Sequence, residues 1–344
     1  MTAADIRELA RGCGFELAGV ARAEPAADRQ GYHQWAAAGF AGDMRYLTDR
    51  RAAVRDDPRN LLPTARSIVA VGKLYHTPQP HSTEMDDPDR GWISRYAWGG
   101  DYHDVMRRGL KHLDALLRER LGAPFESKIC VDTAPLVERT CARLAGLGWI
   151  GKNTCLINQQ SGSWFFLGEL LVSFEIAPDG PPPDRCGTCR RCIDACPTSA
   201  IVPFGDRHAV DSRLCISYLT IEQRGAIPDD RREGNGGHVF GCDICQDVCP
   251  WNRRAPVTSE PAFEARHFAP PLATLAALTE LEFHAMFDGT PVSRACYAGF
   301  LRNVAVAMGN RGAECFRPAL EKLAQSEDAV VAEHARWALE CKNP

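Results

Sequence analysis

Eight of the 15 cysteines in this 344-residue chain lie close together, and their spacing is that of iron–sulfur cluster ligands. The first run is Cys186-Gly-Thr-Cys-Arg-Arg-Cys-Ile-Asp-Ala-Cys-Pro197, the C-x₂-C-x₂-C-x₃-C-P pattern of bacterial ferredoxins. The second run, Cys242-Asp-Ile-Cys-Gln-Asp-Val-Cys-Pro250, has one cysteine fewer, and Cys215 lies between the runs and can supply it. The pattern therefore predicts two [4Fe–4S] clusters held by eight thiolates.

The pairing of the cysteines with the two clusters follows from the ferredoxin pattern. In two-cluster ferredoxins the fourth cysteine of a run ligates the other cluster. The predicted sets are Cys186, Cys189, Cys192 and Cys249 for one cluster, and Cys196, Cys215, Cys242 and Cys245 for the other. Two zinc sites are the alternative, but zinc requires neither a third cysteine at the same spacing nor two Cys-Pro endings. Two such clusters are typical of a low-potential electron-transfer chain, so we expect an electron acceptor beside them.

The other seven cysteines are scattered, and we interpret them as small buried hydrophobes. They are Cys13, Cys130, Cys141, Cys155, Cys296, Cys315 and Cys341. Disulfides are not expected, because the sequence has the properties of a cytoplasmic protein, and thiols stay reduced in the cytoplasm.

Composition and charge exclude several classes of protein. A hydrophobic fraction of 45% and a charged fraction of 24% are ordinary for a globular protein and exclude a disordered chain. No stretch approaches the ~18 apolar residues that span a bilayer, and the first residues lack a signal-peptide pattern. We therefore expect a cytoplasmic protein with no membrane partner. The net charge of −4 argues against a general polyanion binder but permits a local basic face.

The order of predicted elements divides the chain into three segments. Residues 1–178 mix predicted helices and strands in an α/β pattern, with a strand over 127–131 and a helix from Pro135 to about Ala145. A proline-rich linker follows, and residues 184–255 hold the cysteine runs. Residues 256–344 have a largely helical pattern, in which Arg302 and Arg336 occupy matching positions at roughly the period of a helical repeat.

A polar group follows the predicted strand over 127–131, the end of a strand where open α/β sheets place ligands. Asp132 could cap the next helix or act as a general acid, and Glu138 and Arg139 lie one turn further on. An acid role at neutral pH would require burial to raise the aspartate pKa from about 3.9. The glycine-punctuated loop 148–154 could approach a large cofactor closely or simply end a helix. No Gly-x-Gly-x-x-Gly follows a strand and no Walker motif is present, so a nucleotide cofactor is not indicated.

Four features together resemble the epoxyqueuosine reductase family over essentially the whole chain. They are the eight-cysteine pattern and the segments Val131-Asp-Thr-Ala-Pro-Leu-Val-Glu-Arg139, Gly148-Trp-Ile-Gly-Lys-Asn-Thr154 and Leu301-Arg-Asn-Val-Ala-Val-Ala-Met-Gly-Asn310. The resemblance implies a nitroreductase-like α/β domain that binds base-off cobalamin, a ferredoxin-like domain with two [4Fe–4S] clusters, and a helical HEAT-like domain. It also implies reduction of epoxyqueuosine to queuosine at the tRNA wobble position, with the oxygen leaving as water.

The resemblance assigns roles residue by residue. Asp132 matches the family's proton donor, and Arg55 and the segment 152–156 match positions that contact the cofactor. The contacting residues of that segment are Lys152, Asn153, Thr154 and Leu156. The triplet at 101–103, Asp-Tyr-His, begins like the Asp-x-His-x-x-Gly motif that supplies a histidine to cobalamin. Met106 replaces the glycine, so this segment gives no reason to expect a lower histidine ligand.

The implied partners are a tRNA carrying epoxyqueuosine in the anticodon loop and a low-potential electron donor that the sequence does not identify. We expect a monomer. The tRNA must be held by basic side chains despite the negative total charge. The candidates are Arg190, Arg191, Arg231, Arg232, Arg253, Arg254, Arg302 and Arg311.

Three other functions are compatible with parts of the sequence. The first is a reductive dehalogenase-like enzyme, which would also combine cobalamin with two clusters but commonly carries an export signal and no helical tail. The second is an electron-transfer ferredoxin on an unrelated scaffold, which would contain iron and no cobalt. The third is an RNA-binding helical module with structural metal, which would show no redox-active absorbance.

Overall fold

The computed structural model describes residues 1–25 and 28–341. The strands are β1 (Leu17–Arg22), β2 (Ser67–Leu74), β3 (Trp92–Ile93), β4 (Ser127–Cys130), β5 (Trp149–Ile150), β6 (Leu156–Ile157), β7 (Phe165–Val172), β8 (Ile201–Phe204), β9 (Arg207–Val210) and β10 (His238–Phe240). The α-helices are α1 (Ala3–Gly12), α2 (Arg29–Ala37), α3 (Arg45–Thr48), α4 (Arg51–Val54), α5 (Tyr102–Leu121), α6 (Glu138–Leu144), α7 (Arg191–Asp194), α8 (Ile216–Ile221), α9 (Asp229–Arg232), α10 (Ile244–Asp247), α11 (Leu272–Ala277), α12 (Glu280–Phe287), α13 (Tyr297–Gly312), α14 (Arg317–Leu323) and α15 (Ala329–Glu340). Short 3₁₀ helices span Pro58–Asn60, Ser82–Glu84, Arg95–Ala97, Ser212–Leu214, Glu233–Asn235, Pro250–Asn252, Pro261–Phe263, Pro291–Ala295 and Ala313–Phe316. None of the helices in these described ranges is long and apolar enough to cross a membrane.

The first part of the chain is built on a four-stranded sheet in the order β1-β2-β7-β4. Every neighbouring pair in it is antiparallel. Strand β2 is buried along all of its residues, which explains its nearly continuous apolar sequence. In an antiparallel sheet, the carboxyl ends of neighbouring strands lie at opposite ends of the sheet. The rule for open α/β sheets therefore does not apply here, and the position of Asp132 after β4 depends on its own neighbours.

Helices cover both faces of this sheet. Alternate residues of a strand point to opposite faces. Val69 and Val71 of β2 accordingly belong to the hydrophobic core beneath α1 and α5, whereas Ile68 and Ala70 belong to the core beneath α6. Cys141 of α6 is buried in the second core, where it packs as a small hydrophobe. Cys296 and Cys315 are exposed, so the expectation that they are buried is wrong.

Helix α5 begins at the edge of the sheet and carries a histidine in its first turn. The Asp101 side chain caps the helix by accepting the backbone N–H of His103 at 2.9 Å. The helix ends at Gly122, whose φ of 62° lies in the left-handed region that glycine adopts easily. The inward-facing leucines that fix the helix on the sheet are Leu110, Leu113 and Leu117.

The connection between β4 and α6 is a turn, so the predicted helix start at Pro135 is wrong. Helix α6 begins at Glu138. Asp132 has a φ of 50°, and its backbone N–H donates to the Glu138 carboxylate at 2.5 Å. This hydrogen bond folds the segment back on itself, and the helix starts only after the turn is complete.

The two cysteine runs form a unit with little apolar core. Each run contains one helical turn, α7 in the first and α10 in the second, and the hairpin β8–β9 follows the first. The local core consists of Trp149, Ile157 and Cys249, with Cys186 and Trp251 packed against it. Because so little apolar surface is buried here, we expect bound clusters to contribute to folding free energy.

The last part of the chain packs α11 to α15 around an aromatic core. The ring centroids of Phe283, Phe287 and Phe300 are 5.1 to 5.3 Å apart. Strand β3 pairs in parallel with β10, and Trp98 joins the same core as these phenylalanines. A segment of the first predicted domain therefore packs with the third, and the three-part division of the chain stays a prediction.

Arg302 of α13 is buried, so the prediction that it contacts RNA is wrong. Only 1% of the Arg302 surface is exposed to solvent. The guanidinium donates to the carbonyl oxygens of Leu219, Gln223 and Gly225 at 2.7 to 2.9 Å. These carbonyls lie at and beyond the end of α8, the helix that follows Cys215. Arg302 therefore fastens α13 to the unit that holds the cysteines.

Substitution of Arg302 by methionine should destabilise the fold, because three carbonyl groups would lose a charged donor in a buried site. We expect a loss on the order of 3 kcal/mol, seen as a fall of several degrees in the melting temperature followed by circular dichroism. Arg336→Met is the matched control. Arg336 is exposed and makes one 3.3 Å bond to the Ala324 carbonyl, so its loss should leave the melting temperature nearly unchanged. Equal melting temperatures for the two variants would contradict this role.

Candidate active site

The eight cysteines of the runs separate into two groups in space. In one group, the charges of neighbouring cysteines contribute to the raised pKa of Cys192 and Cys249; the group consists of Cys186, Cys189, Cys192 and Cys249. In the other, they contribute to the raised pKa of Cys215, Cys242 and Cys245; this group consists of Cys196, Cys215, Cys242 and Cys245. The first group lines one cavity. These are the sets that crossed ligation predicts, and their binding of iron stays a prediction.

The thiols of the first group lie so close that their negative charges must be compensated. Burial and the neighbouring Cys186 and Cys189 thiolates raise the pKa of Cys192 to about 11. Four thiolates can coexist there only if bound iron offsets their charge. Across the described ranges 1–25 and 28–341, no three His, Cys, Asp or Glu side chains come close enough to hold one metal ion.

The loop 152–156 joins the α/β unit to both cysteine runs. The Lys152 ammonium donates to the carbonyls of Gly187 and Cys189 at 2.7 and 2.9 Å. The Asn153 amide donates to the carbonyl of Cys245 at 3.2 Å. These two side chains of the predicted cofactor loop thus fasten it to the first and the second run.

The other end of the loop is held from α6. Arg139 donates to the Thr154 carbonyl at 2.6 Å and to its hydroxyl at 3.2 Å. Thr154 has a φ of 62°, and Leu156 is buried in β6. The remaining predicted cofactor residue, Arg55, is largely buried at the end of α4, where it donates to the Tyr46 carbonyl at 3.1 Å.

Asp132 is held between a histidine and a glutamate. One carboxylate oxygen accepts a hydrogen bond from His103 Nε2 at 3.2 Å, across 29 residues of sequence. The other nitrogen of the ring, Nδ1, lies 2.6 Å from Asp101. The Asp132 side chain is still 47% exposed, which leaves it open to a ligand. Glu138 holds its backbone N–H from the opposite side.

The pKa of Asp132 is lowered, which corrects the expectation that burial would raise it. Burial acts in the raising direction, but the hydrogen bond and positive charge of His103, with the charge of Arg294, outweigh it. Hydrogen bonds to Asp101 and Asp132 raise the pKa of His103 to about 9. Burial and the Asp132 charge raise the pKa of Glu138 to about 7. At neutral pH the proton of the pair therefore resides on His103.

Sequence reasoning missed part of this arrangement. The triplet at 101–103 was interpreted only as the start of a cobalamin motif. The aspartate two positions before the histidine was the available signal that His103 belongs to a charged pair. The charge of Arg294, which comes from the helical part of the chain, also acts on Asp132, and nothing in the sequence indicated that. Cys155, expected to be a packing residue, makes a thiol contact with Cys245.

The basic residues predicted to bind RNA divide by exposure. Arg232 is buried, with its guanidinium paired to Asp229 and Glu333, so that prediction is wrong. The half-buried candidates are Arg231 and Arg311. The exposed candidates are Arg190, Arg191, Arg253 and Arg254. Arg191 also lines the cavity of the first cysteine group, so the exposed set borders the cluster unit.

A comparison with family models defines the class of protein. The model described as a 4Fe-4S double cluster binding domain matches residues 185–252, a range that includes all eight grouped cysteines. Two cluster sites tied by one loop to an acid–base group are the parts of an iron–sulfur oxidoreductase.

Relatives define the family. The chain is 43% identical to the epoxyqueuosine reductase of Xanthomonas campestris, over 98% of this chain and 95% of that protein. It is 37% identical to the epoxyqueuosine reductase of Escherichia coli K12, over 95% of this chain and 86% of that protein. The chain belongs to the epoxyqueuosine reductase family. The family model described as epoxyqueuosine reductase QueG, DUF1730, matches residues 55–133, which include Arg55 and Asp132.

Solved structures of the same family resemble this fold. An epoxyqueuosine reductase crystallised with an epoxyqueuosine-modified stem loop of tyrosine tRNA superposes with a TM-score of 0.88 at 30% identity, over 98% of this chain and 88% of that one. The enzyme from Bacillus subtilis, with its catalytic aspartate loop swung out of the active site, gives a TM-score of 0.84 at 30% identity, over 97% of this chain and 88% of that one.

Replacement of Cys242 by serine should remove one cluster, because its group would keep only three thiol ligands. We expect the iron content of the anaerobically reconstituted protein to fall from about eight to about four atoms per chain, with absorbance near 400 nm reduced accordingly. Cys341→Ser, at the end of α15, is the control and should keep all the iron. An unchanged iron content in Cys242→Ser would count against the predicted ligand set.

Proposed function

We propose that this protein reduces epoxyqueuosine to queuosine at the wobble position of tRNA, with cobalamin and two [4Fe–4S] clusters as cofactors. The main support for the proposal is a short path of covalent and hydrogen bonds that connects Asp132 with the two cysteine groups. Asp132 is held by Glu138 of α6, the next residue Arg139 binds Thr154, and Lys152 and Asn153 bind both cysteine runs. In this proposal the path supports a proton source and an electron source at one site.

In this proposal a large reducing cofactor would lie beside the loop 152–156, which joins these two sources. Cobalamin, when bound, supplies a cobalt centre that can pass two electrons to an epoxide. Thr154, the buried Leu156 and the segment of Arg55 would hold it, while Lys152 and Asn153 fix the loop behind it. His103 is engaged by Asp101 and Asp132 on its two nitrogens. It therefore belongs to the acid turn and is not among the residues that would hold the cofactor.

Asp132 acts as the proton donor to the epoxide oxygen in this proposal. Opening the epoxide ring places negative charge on oxygen, and a positioned acid lowers that barrier. The side chain is open on one side and held by His103 on the other, as a donor to a bulky ligand must be. The relative with its catalytic aspartate loop swung out indicates that the corresponding loop can move in that enzyme.

The relatives favour this reaction over the dehalogenase-like alternative. The relatives from Xanthomonas campestris and Escherichia coli, at 43% and 37% identity over nearly the whole chain, are epoxyqueuosine reductases, and a solved neighbour holds a modified tRNA stem loop. A competition between an epoxyqueuosine-containing stem loop and halogenated phenols, with the reconstituted enzyme and a chemical reductant, tests the assignment. Only the RNA should be converted, and turnover of the phenols without the RNA would overturn it.

Replacement of Asp132 by alanine should remove the donor and leave the rest of the site in place. We expect turnover of the modified stem loop to fall by about 10²–10⁴-fold, while iron and cobalamin contents stay unchanged. Asp104→Ala removes an exposed carboxylate from the first turn of α5 and is the matched control, with turnover retained. Full activity of Asp132→Ala would contradict the donor role.

The exposed arginines beside the cluster unit should bind RNA phosphates. Replacement of Arg190, Arg191, Arg253 and Arg254 by alanine should weaken binding of the stem loop. The plot of the logarithm of the binding constant against the logarithm of salt concentration should also become less steep. Its slope should fall in magnitude by about 0.7 to 0.9 for each phosphate that an arginine no longer neutralises. Arg118→Ala with Arg120→Ala, both exposed near the far end of α5, removes two positive charges away from His103 and serves as control. A salt slope that stays at the wild-type value in the quadruple variant would exclude this surface.

A further inference from the structure

His103 faces a carboxylate with each of its ring nitrogens. Nδ1 lies 2.6 Å from Asp101 Oδ1, and Nε2 lies 3.2 Å from Asp132 Oδ2. An ionised carboxylate only accepts hydrogen bonds. A ring that satisfies both partners must therefore carry a proton on each nitrogen and a positive charge.

The ring is held in this position by the start of α5. The Asp101 oxygen that accepts from the ring also accepts the backbone N–H of His103, at 2.9 Å. The neighbouring Tyr102 ring stacks on Phe166 of β7 with centroids 4.1 Å apart and planes 4° apart, which fixes this turn against the sheet. The His103 side chain is 19% exposed, so solvent can still exchange protons with it.

The proposed reaction needs more protons than one aspartate holds. Reduction of an epoxide to an alkene and water breaks two C–O bonds, forms two O–H bonds, and consumes two electrons and two protons. The electrons come from the external donor through the cofactors that the proposed function names. The protons must come from side chains or solvent at the oxygen.

We propose that His103 is a proton relay that reloads Asp132 during turnover. Nε2–H passes its proton to the Asp132 carboxylate, which delivers it to the epoxide oxygen, and the neutral ring keeps its Nδ1 proton on Asp101. Solvent then reprotonates Nε2 through the exposed edge, so the second proton follows the same route. In this proposal His103 does not contact the substrate. It acts only through Asp132, so we class it as a positioning residue and not as a catalytic one. The inference rests on the proposed function.

The charges around the pair keep a transferable proton stored on His103 between the transfer steps. From α5 the ring faces Asp101, with Arg107 and the phenol of Tyr102 nearby, and from the β4–α6 turn it faces Asp132 and Glu138. The 3₁₀ helices contribute Arg294, whose charge acts on Asp132, and the neutral phenol of Tyr96. The hydrogen bonds and charges of Asp101 and Asp132 outweigh burial and raise the pKa of His103 to about 9, so the ring is charged at neutral pH.

The pH profile of turnover on an epoxyqueuosine-modified stem loop, measured with the cluster- and cobalamin-loaded enzyme, tests the relay. In the wild type kcat should fall as the pH rises through about 9, because the ring loses its transferable proton. His103→Gln keeps hydrogen-bonding capacity but cannot titrate. We expect its kcat to be at least about 10-fold lower with that alkaline limb absent, and an unchanged KM.

Asp101→Asn separates the relay from a purely structural role. Asparagine still caps α5, but the loss of the negative charge should lower the His103 pKa. The alkaline limb should therefore move to lower pH, with kcat at pH 6 nearly unchanged. His112→Gln, a substitution of an exposed histidine on the same helix, should leave the profile as in the wild type.

A direct measurement completes the test. Carbon-13 NMR of labelled histidines in the loaded enzyme should show one ring titrating near 9, with its signal missing in His103→Gln and shifted in Asp101→Asn. A His103 that titrates at an ordinary value of about 6.5, or a His103→Gln enzyme with the wild-type pH profile, would overturn the relay. Failure of the wild-type enzyme to convert the modified RNA would instead overturn the proposed function, and the NMR titration would still report on His103.

Discussion

The structure depends on one constraint, the attachment of the loop 152–156 to backbone carbonyls of both cysteine runs. The charged donor Lys152 and the buried donor Asn153 hold the runs against the α/β unit. Hydrogen bonds from a charged group are stronger than neutral ones, and those in a buried site are costly to lose. Together with the hydrogen bonds that Trp92, Ser94 and Arg95 donate to Asp243 of the second run, this attachment fixes the distance between the thiol groups and the acid at the end of β4. A site that combines electrons with protons requires such a fixed distance.

Opposite charges set the chemistry of the acid turn. Two aspartates share one imidazolium, and the result is a carboxylate with a lowered pKa beside a histidine with a raised one. Burial alone would have given a protonated aspartate and a neutral histidine. The proton is therefore stored one hydrogen bond away from the open carboxylate of Asp132, on a ring held by Asp101.

The helical part of the chain contributes to the other two parts as well as to its own core. Arg302 fastens α13 to the carbonyls beyond α8, the helix that starts next to Cys215. Arg294 of the same part places a positive charge near Asp132. Trp98, from the first part of the chain, packs in its aromatic core. Removal of this part would therefore disturb the cluster unit and the acid turn together, even though the chain order separates them.

The sequence by itself determined the features that depend on local spacing. The positions of the eight grouped cysteines, the apolar run of β2, the leucine pattern of α5 and the family resemblance all follow from residues that are neighbours along the chain. Only the tertiary structure decided that the sheet is antiparallel, that Arg302 and Arg232 are buried, and that His103 meets Asp132. The reason is physical. A pKa, the burial of an arginine and the pairing of strands depend on groups brought together from distant positions, and their strength is set by separation and burial in space, which spacing along the chain does not encode.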